Sequence, residues 1–461
     1  MVFDGLEAVE RIWSRDANLW TGETEALWLG WLDVAERMQL QLSGLSEFAQ
    51  GVAEDGFENF VLIGMGGSSL APEVMRRFSG SKSFYVLDST HPVSLLSILE
   101  KTGVEKTLFV VASKSGTTIE TLAHFDFFWD KSGARGNQFV AITDPGSALE
   151  SLASECGFRA TFLGEEEVGG RYSALSVFGL VPCALMGLDL GEIVSGALSM
   201  ADACRRKSIN ENPGLSLGLD LGNGWIEGRD KVVLNSNFHG FGLWVEQLIA
   251  ESTGKDKKGL VPCLGENPVG LDRQNIEIEF DDIAGLGSEF FRFEFATAIA
   301  GAVMRINPFN QPNVQESKDR TAAVLASREQ LVLERFGSLD SLLESSEEGD
   351  YLALMAFVPS NSHNEEVLNR VKKELGEKTA LPVTMGFGPR YLHSTGQLHK
   401  GGSDNGLFIQ VVDDPPELDI PGRDYGFHQL IRAQAVGDFE ALLERGRRAV
   451  RITWDDLYDL C

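Results

Sequence analysis

Residues 60–70 read FVLIGMGGSSL, an unbroken apolar run, a glycine-rich turn and then hydroxyls at the start of a helical stretch. An apolar run without alternation marks a strand covered on both faces, which is the habit of parallel sheets between layers of helices. Outward from this stretch the same texture returns in SFYVLD (83–88), TLFVVA (107–112) and QFVAIT (138–143), each separated from the next by a helical pattern. A second cycle holds KVVLNS (231–236), a helix over 242–253, LVPC (260–263), IEIEF (276–280) and a helix over 289–305. Beyond the acidic segment Glu344–Asp350 come YLALMAFV (351–358), a charged helix over 364–377, ALPVTMGF (380–387), LFIQVV (407–412) and AVRIT (449–453). The expected fold class is α/β, two doubly wound parallel sheets plus a small C-terminal α+β domain. The expected parts are an N-terminal helical segment (1–50), a first domain (51–200), a second (201–335) and the C-terminal domain (345–461). Trp13, Trp20, Trp28 and Trp31 are expected to pack the first segment onto the body.

Composition narrows the function. The chain has 461 residues, 43% of them hydrophobic, beyond the roughly 250 to 300 at which one core stops growing. Forty basic against 68 acidic residues give a formal charge of −28, which disfavours nucleic acid and anionic membrane as partners. An anionic substrate then requires cations concentrated locally. Five scattered cysteines without a CxxC argue against a disulfide framework or zinc knuckle and favour a cytoplasmic setting. Met1–Arg15 has no apolar run and is not read as a secretory signal. The charge-free stretch Ala174–Leu188 is shorter than a span of about 20 residues and is expected to be a buried core helix.

Two loops carry the first chemical signal. Gly64–Leu70 lets the backbone approach a ligand closely, with Gly67 and Ser68 as binding candidates, although glycine turns after strands are common in such folds. Ser113-Lys114-Ser115-Gly116-Thr117-Thr118-Ile119-Glu120-Thr121 follows a strand and opens a helix. Its hydroxyls exceed what one helix cap needs, so Ser113, Lys114, Ser115 and Thr118 are candidates to hold a phosphate monoester without a metal.

With these loops the sequence resembles the phosphoglucose isomerase family, whose sugar isomerase domain carries GMGGSSL and SKSGTTIET. Three further stretches resemble the family's motifs in the family's order. Gly169–Ser176 resembles the signature around an enediolate-stabilising arginine, which implies that role for Arg171, with Gly170 beside the substrate. Gln247–Lys255 resembles the segment with the catalytic glutamate, implying Glu251 as base and Gln247 as a substrate contact one helical turn earlier. Phe309–Lys318 resembles the closing signature, implying Gln311 and Lys318 at the site. The resemblance covers about 20–320 and implies two sugar isomerase domains, no cofactor, no metal, and interconversion of glucose 6-phosphate and fructose 6-phosphate in glycolysis and gluconeogenesis. Mannose 6-phosphate or another phosphosugar isomerisation, and a non-catalytic sugar-phosphate sensor, are the alternatives.

The chemistry sets its own demands. Moving a carbonyl between carbons 1 and 2 takes ring opening, proton removal and proton return through an enediolate. One glutamate can perform both transfers if burial lifts its pKa toward the working pH. A fixed cation must meet the developing charge. Lys114, Arg171 and Lys318 each lie in or beside an otherwise neutral motif and meet that need. The sequence departs from the family between Lys255 and Asn310, which contain no histidine where the family places its ring-opening one. Gly388–Gly402 resembles the carboxy-terminal part of bifunctional transaldolase/phosphoglucose isomerases and brings His393, His399, Arg390 and Lys400 into one stretch. His393 or His399 is therefore the expected ring-opening acid/base, with Lys318 assisting. The expected partner is a hexose 6-phosphate, with a homodimer and a transaldolase partner or fusion as open alternatives.

Overall fold

The computed structural model describes residues 4–238, 240–327 and 333–458, and the side chains of 314–318, 327 and 458 lie outside that description. The stretch at 60–70 forms β1 (Asn59–Gly64), a turn and the helix Leu70–Ser79. The first sheet adds β2 (Phe84–Leu87), β3 (Thr107–Ala112), β4 (Phe139–Thr143) and β5 (Ala160–Leu163). Their order is β2-β1-β3-β4-β5, all parallel. Every residue of β3 is buried, as expected of a strand with helices on both faces.

A second parallel sheet, ordered β7-β6-β8, contains β6 (Lys231–Ser236), β7 (Val261–Leu264) and β8 (Arg273–Ile278). Beside it runs the helix Ile283–Met304, buried nearly all round. The N-terminal segment docks there through its indoles. Trp20 Nε1 donates to the carbonyl of Ala298 at 2.8 Å, Trp13 Nε1 to that of Cys204 at 3.1 Å, and Trp31 stacks on Tyr172 at 5.4 Å. The stretch 174–188 contains a wholly buried helix, Val177–Leu185. No described helix is long and apolar enough to cross a membrane.

The third sheet, ordered β10-β9-β11-β12, comprises β9 (Tyr351–Phe357), β10 (Val383–Phe387), β11 (Gly406–Val412) and β12 (Arg448–Thr453). Here one detail of the expectation needs correcting. The C-terminal part is not an α+β arrangement, because all its strand pairs are parallel and a helix stands between each strand and the next. Such crossovers return the chain in the same direction and yield another α/β layer. This sheet does not stand apart. Tyr351, Phe408 and Phe439 share a core with Val233, Ala250 and Cys263, while Ile420, Phe427 and Leu430 pack with Phe109 and Phe139. It therefore reaches both of the other sheets, and the loop after β10 is carried into the cleft between them.

Candidate active site

A cleft of about 600 Å³ opens where these pieces meet, lined by the turn after β1, the loop after β3, Gly169–Arg171, the helix Gly242–Thr253, residues 309–311 and His393. β1 and β3 are adjacent and parallel, so the first two loops leave the same sheet edge, the usual ligand position in such folds. Gly67 is required by contact: a Cβ there would fall 2.0 Å from the carbonyl oxygen of Gly170. That approach locks the turn after β1 against the Arg171 segment, with Ser68 on the cleft wall.

In the second loop Ser113 Oγ and Thr118 Oγ1 are 3.0 Å apart, as are Ser115 Oγ and Thr117 Oγ1. Thr118 sits at the N-cap of the helix Ile119–Lys131, whose first N–H groups face that end of the cleft. Ser115 and Thr118 line the cleft, whereas Ser113 is buried behind Thr118. Lys114 is also at the wall, paired with Asp144 and donating to the carbonyl of Glu165 at 2.9 Å. Burial pushes the Asp144 carboxyl up against the pull of Lys114.

Arg171 is the anchored cation. Its Nε donates to Ser252 Oγ at 2.8 Å, Nη1 to Gln311 Oε1 at 3.1 Å, and Nη2 to the carbonyls of Pro308 (2.7 Å) and Asn310 (3.1 Å). A buried guanidinium is tolerable only when its donors are satisfied in this way. Nη1 also lies 3.7 Å from Oε1 of Glu251. Glu251 occupies the helix Gly242–Thr253, the span expected from sequence, and is 5% exposed. One turn earlier Gln247 donates from Nε2 to Glu251 Oε2 at 3.1 Å and to the carbonyl of His393 at 2.8 Å. Gln247 Oε1 is buried without a hydrogen-bond partner among the described residues.

The two candidate histidines separate. His393 lines the cleft, and its Nε2 is 2.9 Å from Oε1 of Glu120. His399 does not reach the cleft, which corrects the expectation for that residue. It lies on the short helix Gly396–Gly401, 3% exposed, with its ring 5.9 Å from Tyr391 and 5.1 Å from Phe408. Its Nδ1 has no hydrogen-bond partner among the described residues, and burial, reinforced by Lys400 and Arg447, holds its pKa well below the imidazole range. Arg390 and Lys400 are similarly committed elsewhere, to Asp88 and Asp438. Lys318 falls on the helix Val314–Ser327, and its side chain lies outside the described residues.

Two residues inside the quoted motifs acquire parts that sequence reading did not give them. Glu120 is buried and also accepts from Gln434 Nε2 at 2.8 Å, so it ties the first sheet's loop to the third sheet's helix. Lys255 is buried with its Nζ on the carbonyls of Asn307 (2.7 Å) and Asn310 (2.5 Å), fixing the segment that Arg171 also holds. Burial, and next the Arg171 charge, push the Lys255 pKa well down. Among the described residues no His, Cys, Asp or Glu side chains group in threes that could hold a metal.

A family model described as phosphoglucose isomerase matches residues 34–261. The glucose-6-phosphate isomerase of Methanocaldococcus jannaschii is 34% identical over 341 residues, covering 57% of this chain and 83% of that protein. That of Carboxydothermus hydrogenoformans is 31% identical over 280 residues, covering 54% of this chain, and the chain spans 60% of that protein's length. In fold, the crystal structure of a glucose-6-phosphate isomerase from Chlamydia trachomatis superposes with a TM-score of 0.54 at 21% identity, covering 73% of this chain and 80% of that one.

Proposed function

The chain belongs to the phosphoglucose isomerase family, and from that premise we propose that it interconverts glucose 6-phosphate and fructose 6-phosphate. The substrate's phosphate rests on Ser115 and Thr118, with Ser113 bracing Thr118 and the helix start at Ile119 facing the anion. Lys114, although paired with Asp144, adds its charge at that end. The sugar then extends along Gly67, Ser68 and Gly170 toward Glu251 and Arg171.

Glu251 is the base that takes the proton beside the carbonyl and returns it to the neighbouring carbon. Arg171 stabilises the enediolate oxygens, and its four hydrogen bonds hold the charge in place before reaction begins. Gln247 orients Glu251 through Oε2 and offers its unpaired Oε1 to a sugar hydroxyl. Gln311 keeps Arg171 aimed and borders the sugar. His393 moves the proton between ring oxygen and anomeric hydroxyl, with Glu120 as its positioning residue. Lys318 assists at this end, as its motif implies.

The observation that carries the reading is the convergence of Arg171, Gln247 and Glu251 on one wall of a cleft whose other end is the hydroxyl-rich loop. A sensor needs only the loop. We place the reaction in the cytoplasm, in keeping with the scattered cysteines; the four described ones carry free thiols. A homodimer rests on the family resemblance, and a transaldolase partner or fusion on the stretch 388–402. The deciding experiment is a coupled assay for fructose 6-phosphate formed from glucose 6-phosphate. No product, with turnover of mannose 6-phosphate instead, overturns the assignment in favour of the other phosphosugar.

A further inference from the structure

A second cavity, of about 370 Å³, lies on the far side of the same helix and loop that build the active cleft. Its walls carry Arg76 and Arg77 from the helix Leu70–Ser79, Lys101, Glu365, Arg390 and Glu246. Glu246 is the unusual member. It is 9% exposed and, among the described residues, has neither a hydrogen-bond nor an ion-pair partner, although buried polar groups almost always have one. Burial pushes its carboxyl up to about 7, against the opposing pull of Lys372 and Arg390. Near neutrality such a group can both accept and donate.

The cations opposite are only partly used. Arg76 spends Nε and Nη2 on Glu73, and Arg77 spends Nε on the same carboxylate. Arg390 spends Nε and Nη2 on Asp88. Three guanidiniums thus share two carboxylates, leaving Nη1 of Arg76, both Nη of Arg77 and Nη1 of Arg390 without acceptors among the described residues. Planar N–H forks of this kind suit a multi-oxygen anion. An ammonium would be repelled by them, whereas a hydroxyl would satisfy Glu246. At about 30 Å³ per water the space would hold on the order of ten waters, enough for a small metabolite.

We propose that this cavity binds a small hydroxylated oxyanion, phosphate or carboxylate, with its anionic end on Arg76, Arg77 and Arg390 and a hydroxyl on Glu246. Occupancy is transmitted to the active cleft. Glu246 immediately precedes Gln247 on the helix, and Arg390 and Ser394 flank His393 on the loop. The ligand therefore changes kcat rather than competing with substrate, a coupling that rests on the isomerase reading. The binding itself does not.

Calorimetric titration of the full chain with glycerol 3-phosphate and with citrate tests the binding. One or both probes should occupy this cavity, whether or not the active cleft binds them as well. Arg77→Ala and Glu246→Gln, which keep the cleft residues, should each weaken that equivalent at least tenfold. Citrate alone at this cavity assigns a carboxylate, and glycerol 3-phosphate alone assigns a phosphate ester. Binding of neither probe, or binding unchanged in both variants, overturns the proposal. Because binding is read without turnover, an absence of isomerase activity would leave this result interpretable. In the assay the active probe should lower or raise kcat at saturating substrate in the wild type and not in Arg77→Ala.

Discussion

Nε2 of His393 lies 2.9 Å from Oε1 of Glu120, joining the loop after β10 to the helix that begins at the hydroxyl-rich loop after β3. The residues are 273 positions apart, and the third sheet is what delivers one to the other. This contact offers an answer to the missing histidine between Lys255 and Asn310. If His393 opens the ring, His393→Ala should slow isomerisation of cyclic glucose 6-phosphate by about a hundredfold, the usual scale of a general acid/base. Proton exchange on an open-chain analogue should continue, since Glu251 is untouched. Glu120→Gln should show the same split between cyclic and open-chain substrates in milder form, which a merely structural glutamate would not. Equal losses on both substrates would remove the pair from ring opening.

His399→Ala is expected to behave in the opposite way. The ring is packed between Tyr391 and Phe408, so its loss leaves a cavity in the core that joins the second and third sheets. Urea denaturation should show a destabilisation of about 1–3 kcal/mol, with kcat and KM of the folded enzyme within about twofold of wild type. A selective loss of kcat with unchanged stability would return His399 to the chemistry.

Glu251→Gln should reduce kcat by at least about a hundredfold while leaving KM for the hexose 6-phosphate nearly unchanged, because the amide keeps the contact with Gln247 but cannot take a proton. Stopped-flow or steady-state measurement of fructose 6-phosphate formation is sufficient. Near-normal turnover would remove Glu251 from the base role.

What the sequence disclosed and what it hid divide along a physical line. The span of the helix Gly242–Thr253 was readable because its apolar residues and its two flanking turns are local signals. β5 was not, since Ala160–Leu163 is an edge strand that alternates half-buried and exposed residues and lacks the continuous apolar run of β3. The parallel course of β9–β12 is not legible in any one segment, because strand direction is set by crossovers between sheet neighbours. Likewise His393 and His399, six positions apart in one stretch, are indistinguishable as sequence. Only the packing of Gly396–Gly401 against Phe408 sends one to the core and leaves the other at the cleft. Glu120 stood inside a quoted motif, yet its partner histidine comes from another sheet.

Glu294 lies in the middle of the helix Ile283–Met304. It is 0% exposed, neither carboxyl oxygen has a hydrogen-bond partner among the described residues, and burial raises its pKa well above the ordinary carboxylate range. In the folded protein the group therefore keeps a proton that the unfolded chain gives up near a pH of about 4.3. Below that value both states are protonated and the group imposes no pH-dependent penalty. Above it the unfolded chain binds fewer protons, so stability falls as pH rises, by about 1 kcal/mol per pH unit, until the folded pKa is passed. Glu294→Gln retains the shape and removes the proton equilibrium. Urea midpoints measured at pH 5, 6.5 and 8 should then place the variant close to wild type at the lowest pH and increasingly above it at the higher ones. A variant that is less stable than wild type by the same margin at every pH would mean that the carboxyl is charged and satisfied in the folded protein.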